Sequence, residues 1–209
     1  MSQLLNSKNS TIHKTNTDKQ TKKIGSIELI IGCMFAGKSY ELIRRYTRYK
    51  TIQKKVLVIN HEKDTRYGKN KVCSHNGDEI NCVSVGKLIK IVKDSIMNAY
   101  DIIIIDEAQF FPDLIESCLY LAETQGKHVI VAGLSGDSDR RPFGDICKLI
   151  PYANDITFLK AYCILCNDGT PATFTLRTNK KSTDQLFVGS SESYQAVCRK
   201  CWIQQNSHV

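Results

Sequence analysis

Residues 27–39 read IELIIGCMFAGKS, an apolar run that ends in Gly32, Cys33, Met34, Phe35, Ala36, Gly37, Lys38 and Ser39. The last eight fit the spacing GxxxxGK[ST] of a phosphate-binding loop set between a strand and a helix. Each position has a physical task in such a loop. Glycines let the backbone curl so that successive N–H groups face an anion, Lys38 brings charge to the β- and γ-phosphates, and the Ser39 hydroxyl offers an oxygen to Mg²⁺. Leu42, Ile43, Tyr46 and Tyr49 follow at helical spacing, as the helix after the loop requires. Without that context the same letters would describe a glycine turn carrying an exposed lysine.

Working outward, three more apolar runs appear: VLVIN at 56–60, DIIIID at 101–106 and HVIVAGL at 128–134. Between them Leu88, Ile89, Val92 and Ile96, and then Leu114, Ile115, Cys118, Leu119 and Ala122, recur with helical period. Near-continuous Ile and Val in the runs predicts strands covered on both faces. The expected fold is therefore α/β: a P-loop NTPase-like parallel sheet flanked by helices. After about Tyr162 the pattern changes to paired cysteines, Gly, Thr and short β-like pieces such as TFTLR and LFVG. The predicted organisation is a polar tail over 1–23, an α/β domain over 24–161 and a small zinc-ribbon or lasso domain over 162–209. The tail has too little to bury to offset the entropy of ordering it.

The totals set outer limits. A chain of 209 residues with 42% hydrophobic content has room for one full domain and an appendage, not for two independent large domains. No apolar run approaches bilayer length, and the first residues lack the apolar stretch of a secretory signal. The expectation is a cytoplasmic protein with no membrane partner. The net charge of +8 raises the question of nucleic acid, but Lys14, Lys19, Lys22 and Lys23 lie in the tail and the other cations are scattered, so no dedicated nucleic-acid surface is predicted.

The run DIIIID delivers Asp106 and then Glu107 to the strand end, where ligands bind in open α/β sheets. Asp106 is the expected partner of Mg²⁺, which prefers oxygen ligands and keeps much of its water. Glu107 would either orient a water for ATP hydrolysis or accept the proton of an attacking hydroxyl, and spacing alone leaves both open. An acidic pair at a strand end can also be a plain helix cap. Asp64 and Arg66, after VLVIN, form a second pair: Arg66 could reach a transferring phosphoryl group with Asp64 holding it, and a surface ion pair is the alternative.

Cys163 with Cys166, and Cys198 with Cys201, make two CxxC knuckles flanking residues 167–197. Four thiolates so paired suit a closed structural Zn²⁺ site, and the metal would staple a segment with too little apolar content to fold alone. A segment stapled in that way can close over a site. Cys33, Cys73, Cys82, Cys118 and Cys147 read as core or incidental residues, with Cys33 a candidate for oxidation because of its place in the phosphate loop.

Taken in order, GCMFAGKS, KDTRY, IIIIDEAQFFPD, RRPFG, and CxxC followed by YxxVCRKC resemble the thymidine kinases of the zinc-containing cellular and poxviral type, over nearly everything from Ile24 to Trp202. The resemblance implies ATP- and Mg²⁺-dependent phosphorylation of the thymidine 5′-hydroxyl, with Glu107 as general base, Asp106 and Ser39 at the metal, and Asp64, Arg66 and Gln109 beside the phosphates. It implies a lasso whose backbone reads the base at Thr175 and at Gln185, Leu186, Phe187, Val188 and Gly189, with Tyr194 close to the sugar. Met34, Phe110, Leu134 and Phe143 would form the apolar wall around the base, although residues alone would make these four plain core. A homotetramer and feedback inhibition by dTTP are further implications. One position departs from the pattern: Ser138 stands where many members carry an aromatic that packs on the thymine ring, which bears on base affinity and selectivity and leaves the phosphate chemistry untouched.

Apart from the resemblance, the same residues suit two other classes. A nucleic-acid-dependent ATPase would use the same loop and acidic pair, but the chain has no room for a second motor domain and no basic-aromatic track. A zinc-stabilised nucleotide-binding regulator would leave Glu107 without a task.

Overall fold

The opening run folds as strand β1 (Ser26–Gly32), and the loop after it leads into helix α1 (Lys38–Thr51). The structure, a computed structural model, describes residues 23–64, 70–73, 77–178 and 193–206. The other apolar runs form β2 (Val56–His61), β6 (Ile102–Ile105) and β7 (His128–Leu134); between β2 and β6 come a small hairpin, β3 (Lys71–Cys73) with β4 (Glu79–Asn81), and the short strand β5 (Val83–Val85). With β8 (Asp155–Leu159) they make a six-stranded sheet in the order β5-β2-β6-β7-β1-β8, and every neighbouring pair in it is parallel. All four long strand runs are where the sequence predicts them. Edge strands β5 and β8 escape the pattern because they are short and half exposed, so they lack the continuous apolar signal of the centre.

Alternate residues divide the core into two layers, as strand geometry dictates. Leu29, Ile31, Ile59, Ile103, Ile105, Val129 and Val131 face one side, with α2 (Ile89–Val92) and α3 (Leu114–Leu119) over them through Val92, Leu114 and Cys118. Ile30, Val58, Ile104, Ile130 and Ala132 face the other side, beneath Leu42, Tyr46 and Tyr49 of α1. The predicted helix through Leu88 and Ile96 is only partly formed. It is the single turn α2 followed by a 3₁₀ segment at Ser95–Ala99, and Ile96 points to solvent at 52% exposure while Met97 takes the core position. Asp94 ends the first turn by capping the second, accepting from the Ile96 amide at 2.9 Å. The buried carboxylate of Asp113, at the start of α3, then ties the start of α2 to it by accepting from the amides of Leu88 (3.1 Å) and Ile89 (2.8 Å).

Beyond β8 come β9 (Ala161–Tyr162) and β10 (Pro171–Ala172), antiparallel, then β11 (Phe174–Arg177) against β12 (Tyr194–Val197), then helix α4 (Arg199–Asn206). This C-terminal lobe has its own small cluster, in which Ala172, Leu176, Ala196 and Val197 pack with the cysteines of both knuckles. Among the described residues no helix is long and apolar enough to cross a membrane.

Because Leu29 is wholly buried in the larger layer, Leu29→Ala should cost about 2–5 kcal/mol in urea unfolding of the full chain.

Candidate active site

All strands of the main sheet point the same way, so the ends of β1, β2, β6 and β7 open on one edge. The phosphate loop leaves β1 at Gly32, a position that must lack a side chain: a Cβ there would lie 2.5 Å from the Leu159 carbonyl oxygen. Phe35 (φ 64°) and Gly37 (φ 83°) turn the loop through left-handed backbone, which glycine adopts freely and Phe35 only under restraint. Lys38 folds back over the loop and donates from Nζ to the Cys33 carbonyl at 2.8 Å, which caps the cradle from within.

Asp106 leaves β6 two strands away, and the Ser39 hydroxyl donates to its Oδ2 at 3.4 Å. The two oxygens expected at Mg²⁺ are thus adjacent. Asp106 is buried and its Oδ1 accepts from the Glu107 amide at 2.9 Å. Glu107 itself has φ 50°, a left-handed conformation that costs a non-glycine residue of order 1 kcal/mol and turns its carboxylate out of the strand direction.

Gln109 holds that carboxylate. Its Nε2 donates to Glu107 Oε2 at 2.5 Å, and its Oε1 accepts from the Leu134 amide at 3.0 Å, so the orientation of the carboxamide is fixed by both ends. Two glycines make space for it. A Cβ on Gly133 would stand 2.5 Å from Gln109 Oε1, and one on Gly144, at φ 59°, would stand 2.1 Å from the Gln109 carbonyl oxygen. The family resemblance implies a place for Gln109 beside the phosphates; in the fold its side chain bonds Glu107 and the end of β7.

Asp64 follows β2 and its Oδ2 accepts from Asn60 Nδ2 at 3.1 Å; Asn60, buried at the strand end, was not anticipated, and only its place after an apolar run could have marked it. Arg66 and the stretch Gln185 to Gly189 lie outside the described residues. Of the expected base wall, Phe110 and Phe143 meet edge to face with centroids 5.5 Å apart, and His61 lies 5.5 Å from Phe110. Phe143 is buried, and Leu134 is half-buried where β7 ends opposite Gly32. The Met34 amide donates to Thr175 Oγ1 at 3.1 Å, which brings β11 against the phosphate loop. Tyr194 is buried, with Arg177 donating to its hydroxyl at 3.3 Å. Ser138 is half-buried and its carbonyl accepts from Trp202 Nε1 at 2.9 Å.

The sulfurs of Cys163, Cys166, Cys198 and Cys201 lie within 4.8 Å of one another, with Cys166 3.8 Å from Cys198 and 3.5 Å from Cys201. A tetrahedron of ~2.3 Å metal–sulfur bonds has edges of about 3.8 Å, so the four fit a structural metal. Their proton affinities are pulled apart: burial pushes the Cys163 thiol up, but hydrogen bonds from the backbone around Cys198 and Cys166 outweigh it and bring it to about 6. Cys201, against the Cys166 sulfur and partly desolvated, is pushed up to about 12. Crowded thiols that cannot all ionise alone can do so around a cation. The remaining cysteines behave differently. Burial raises the thiols of Cys33 and Cys147, and that of Cys82 to about 11. Cys33 is therefore a packed thiol rather than the oxidation site its position suggested: it is 2% exposed and lacks thiolate character.

A parallel sheet whose glycine-lysine loop meets an Asp-Glu pair at the carboxyl edge is the arrangement of the P-loop class of proteins. The sequence model described as thymidine kinase matches residues 25–202. The thymidine kinase of Myxoma virus (strain Uriarra) is 44% identical over 178 residues, covering 85% of this chain and 96% of that protein. Thymidine kinase a of Arabidopsis thaliana is 40% identical over 190 residues (90% and 79%), and the thymidine kinase of Monkeypox virus 41% over 179 residues (86% and 97%). The chain belongs to the thymidine kinase family.

Gly133→Ala should drive Gln109 off the Leu134 amide. Loss of roughly 1–3 kcal/mol in thermal or urea unfolding, together with a fall in kcat larger than any change in KM, is the expected result.

Proposed function

We propose that the chain transfers the γ-phosphate of ATP to the 5′-hydroxyl of thymidine. The observation that carries this reading is the meeting of Ser39, Asp106 and Glu107 at one sheet edge, beside the Phe110–Phe143 pair, in a chain of this family. Backbone amides of the loop and Lys38 bind and orient the phosphates. Mg²⁺, held by Ser39 and Asp106, would supply positive charge to the oxygens that gain negative charge during transfer. Glu107 takes the proton from the 5′-hydroxyl, and Gln109 keeps the carboxylate aimed by donating to Oε2. Asp64 and Arg66 serve the transferring phosphoryl group. Met34, Phe110, Leu134 and Phe143 wall the base, Thr175 and the stretch Gln185 to Gly189 enclose it, and Tyr194 meets the sugar. Enclosure keeps water from replacing the sugar hydroxyl as acceptor.

In this reading the chain works as a kinase domain over 24–161, a zinc-held lobe over 162–209 and a polar tail over 1–23. It is a cytoplasmic homotetramer inhibited by dTTP. The exposed edge strand β8, with Ile156 at 40% and Phe158 at 46% exposure, supports self-association.

Incubation with Mg·ATP and each deoxynucleoside in turn tests the reading by chromatography. Thymidine monophosphate should form, and Glu107→Gln should lower kcat about a hundredfold or more. ATP turnover without any nucleoside product, or turnover stimulated by single-stranded DNA, would overturn it. Restoring an aromatic with Ser138→Phe should lower the KM for thymidine about fivefold, corresponding to about 1 kcal/mol of ring contact, and narrow the range of bases accepted. An unchanged KM would remove Ser138 from the base site.

A further inference from the structure

The phosphate loop does not stand on the sheet alone. At its root Gly32 abuts the end of β8, which runs straight on into β9 and the first cysteine knuckle. In its middle the Met34 amide donates to Thr175 Oγ1 at 3.1 Å, and the Cys33 thiol donates to the Ala172 carbonyl at 3.5 Å. Cys33 and Ala36 belong to the same buried cluster as Cys163, Cys198, Cys201, Ala172, Leu176 and Val197, with Phe35 packed against it. Phe35 holds its left-handed backbone at this contact, and a strained residue persists only where its surroundings hold it.

The chain of contacts from loop to knuckles is short. Thr175, 4% exposed, pairs with Ala196 across β11 and β12, and β12 runs into Cys198. Ile164, inside the first knuckle, donates its amide to the same Ala196 at 3.1 Å. The lobe's apolar cluster is small, and a metal in the four-cysteine site would hold the arrangement together.

We infer that metal occupancy of the four-cysteine site and phosphate binding in the loop are thermodynamically linked, with the Thr175 hydroxyl as the residue that carries the coupling. The inference rests on the nucleotide reading of the loop and on zinc as the metal. Thr175 acts here as a positioning residue: its hydroxyl accepts the Met34 amide and sets which of the loop's N–H groups face the anion. Linkage is reciprocal, so nucleotide must tighten zinc by the factor by which zinc tightens nucleotide.

The test measures zinc affinity of the full chain by competition with a chromophoric chelator, with and without saturating Mg·ADP, and Mg·ADP affinity by calorimetry on the zinc-loaded protein. Mg·ADP should tighten zinc about fivefold or more. Thr175→Val should bring that ratio towards one while the protein still binds one zinc, and Thr175→Ser should keep it. Wild-type protein that binds Mg·ADP but shows equal zinc affinity in its presence overturns the coupling and leaves the nucleotide reading standing. Wild-type protein that does not bind Mg·ADP overturns both. A full ratio in Thr175→Val overturns the assignment to this hydroxyl, and if that variant loses its zinc altogether, the wild-type ratio decides.

Discussion

The in-register parallel pairing of β1, β7 and β6 is the constraint on which the site depends. Gly32 pairs with Leu134, and Ile105 with Val131, so β6 stops short of its neighbours and leaves room beyond Ile105 for Asp106 and Glu107 to turn towards the phosphate loop. Slippage by one residue would exchange the two core layers, because Ile103 and Ile105 face one and Ile102 and Ile104 the other. The buried aliphatic side chains that hold the register thus also fix where Ser39 finds Asp106. β7, between the two, closes the arrangement from behind: its last amide takes Gln109 Oε1, and its missing Cβ at Gly133 lets that carboxamide in.

Much of this was legible in the sequence for physical reasons. Strands buried on both faces must be apolar throughout, which is why the four long runs stood out. The loop spacing and the paired cysteines are fixed by the shapes of a phosphate and a tetrahedral metal, so chemistry alone identified them. What stayed hidden depends on contacts between distant segments. Nothing local in residues 83–85 or 155–159 announces an edge strand. The turn at Lys93, where α2 stops and Ile96 swings outward, follows from the Asp94 cap competing with helix continuation. Gln109 could be noticed in its motif, but its hold on Glu107 follows from a backbone amide and two glycines 24 or more residues away.

The charge arrangement follows the same division between local pattern and distant contact. Glu107 is strained in backbone and satisfied in side chain, so the cost of its left-handed turn is offset by bonds to neighbours that are themselves buried. Such strain turns a side chain away from the path an ideal strand would give it. The nine cysteines divide on similar grounds. Burial raises the Cys118 thiol, and outweighs a hydrogen bond from Ser84 at Cys82, whereas backbone donors around Cys163 favour its thiolate.

The C-terminal lobe supports a second loop besides the phosphate loop. Between β7 and Phe143 the chain passes through Arg140 at φ 61°, whose guanidinium stacks 3.6 Å from the ring centroid of Trp202 on α4 and lies 5.7 Å from that of Phe174 on β11. The same indole donates to the Ser138 carbonyl. Asp137, buried, ties the loop internally by accepting from the amides of Asp139 and Arg141. A small residue at position 138 is therefore compatible with an ordered loop, because its path is set by Asp137 within and by Trp202 and Phe174 without, not by the side chain at 138. The lobe that steadies the phosphate loop through Thr175 steadies this one through Trp202. Its cysteines share one cluster with Cys33 and Ala36 of the first loop and with Trp202, which holds the second.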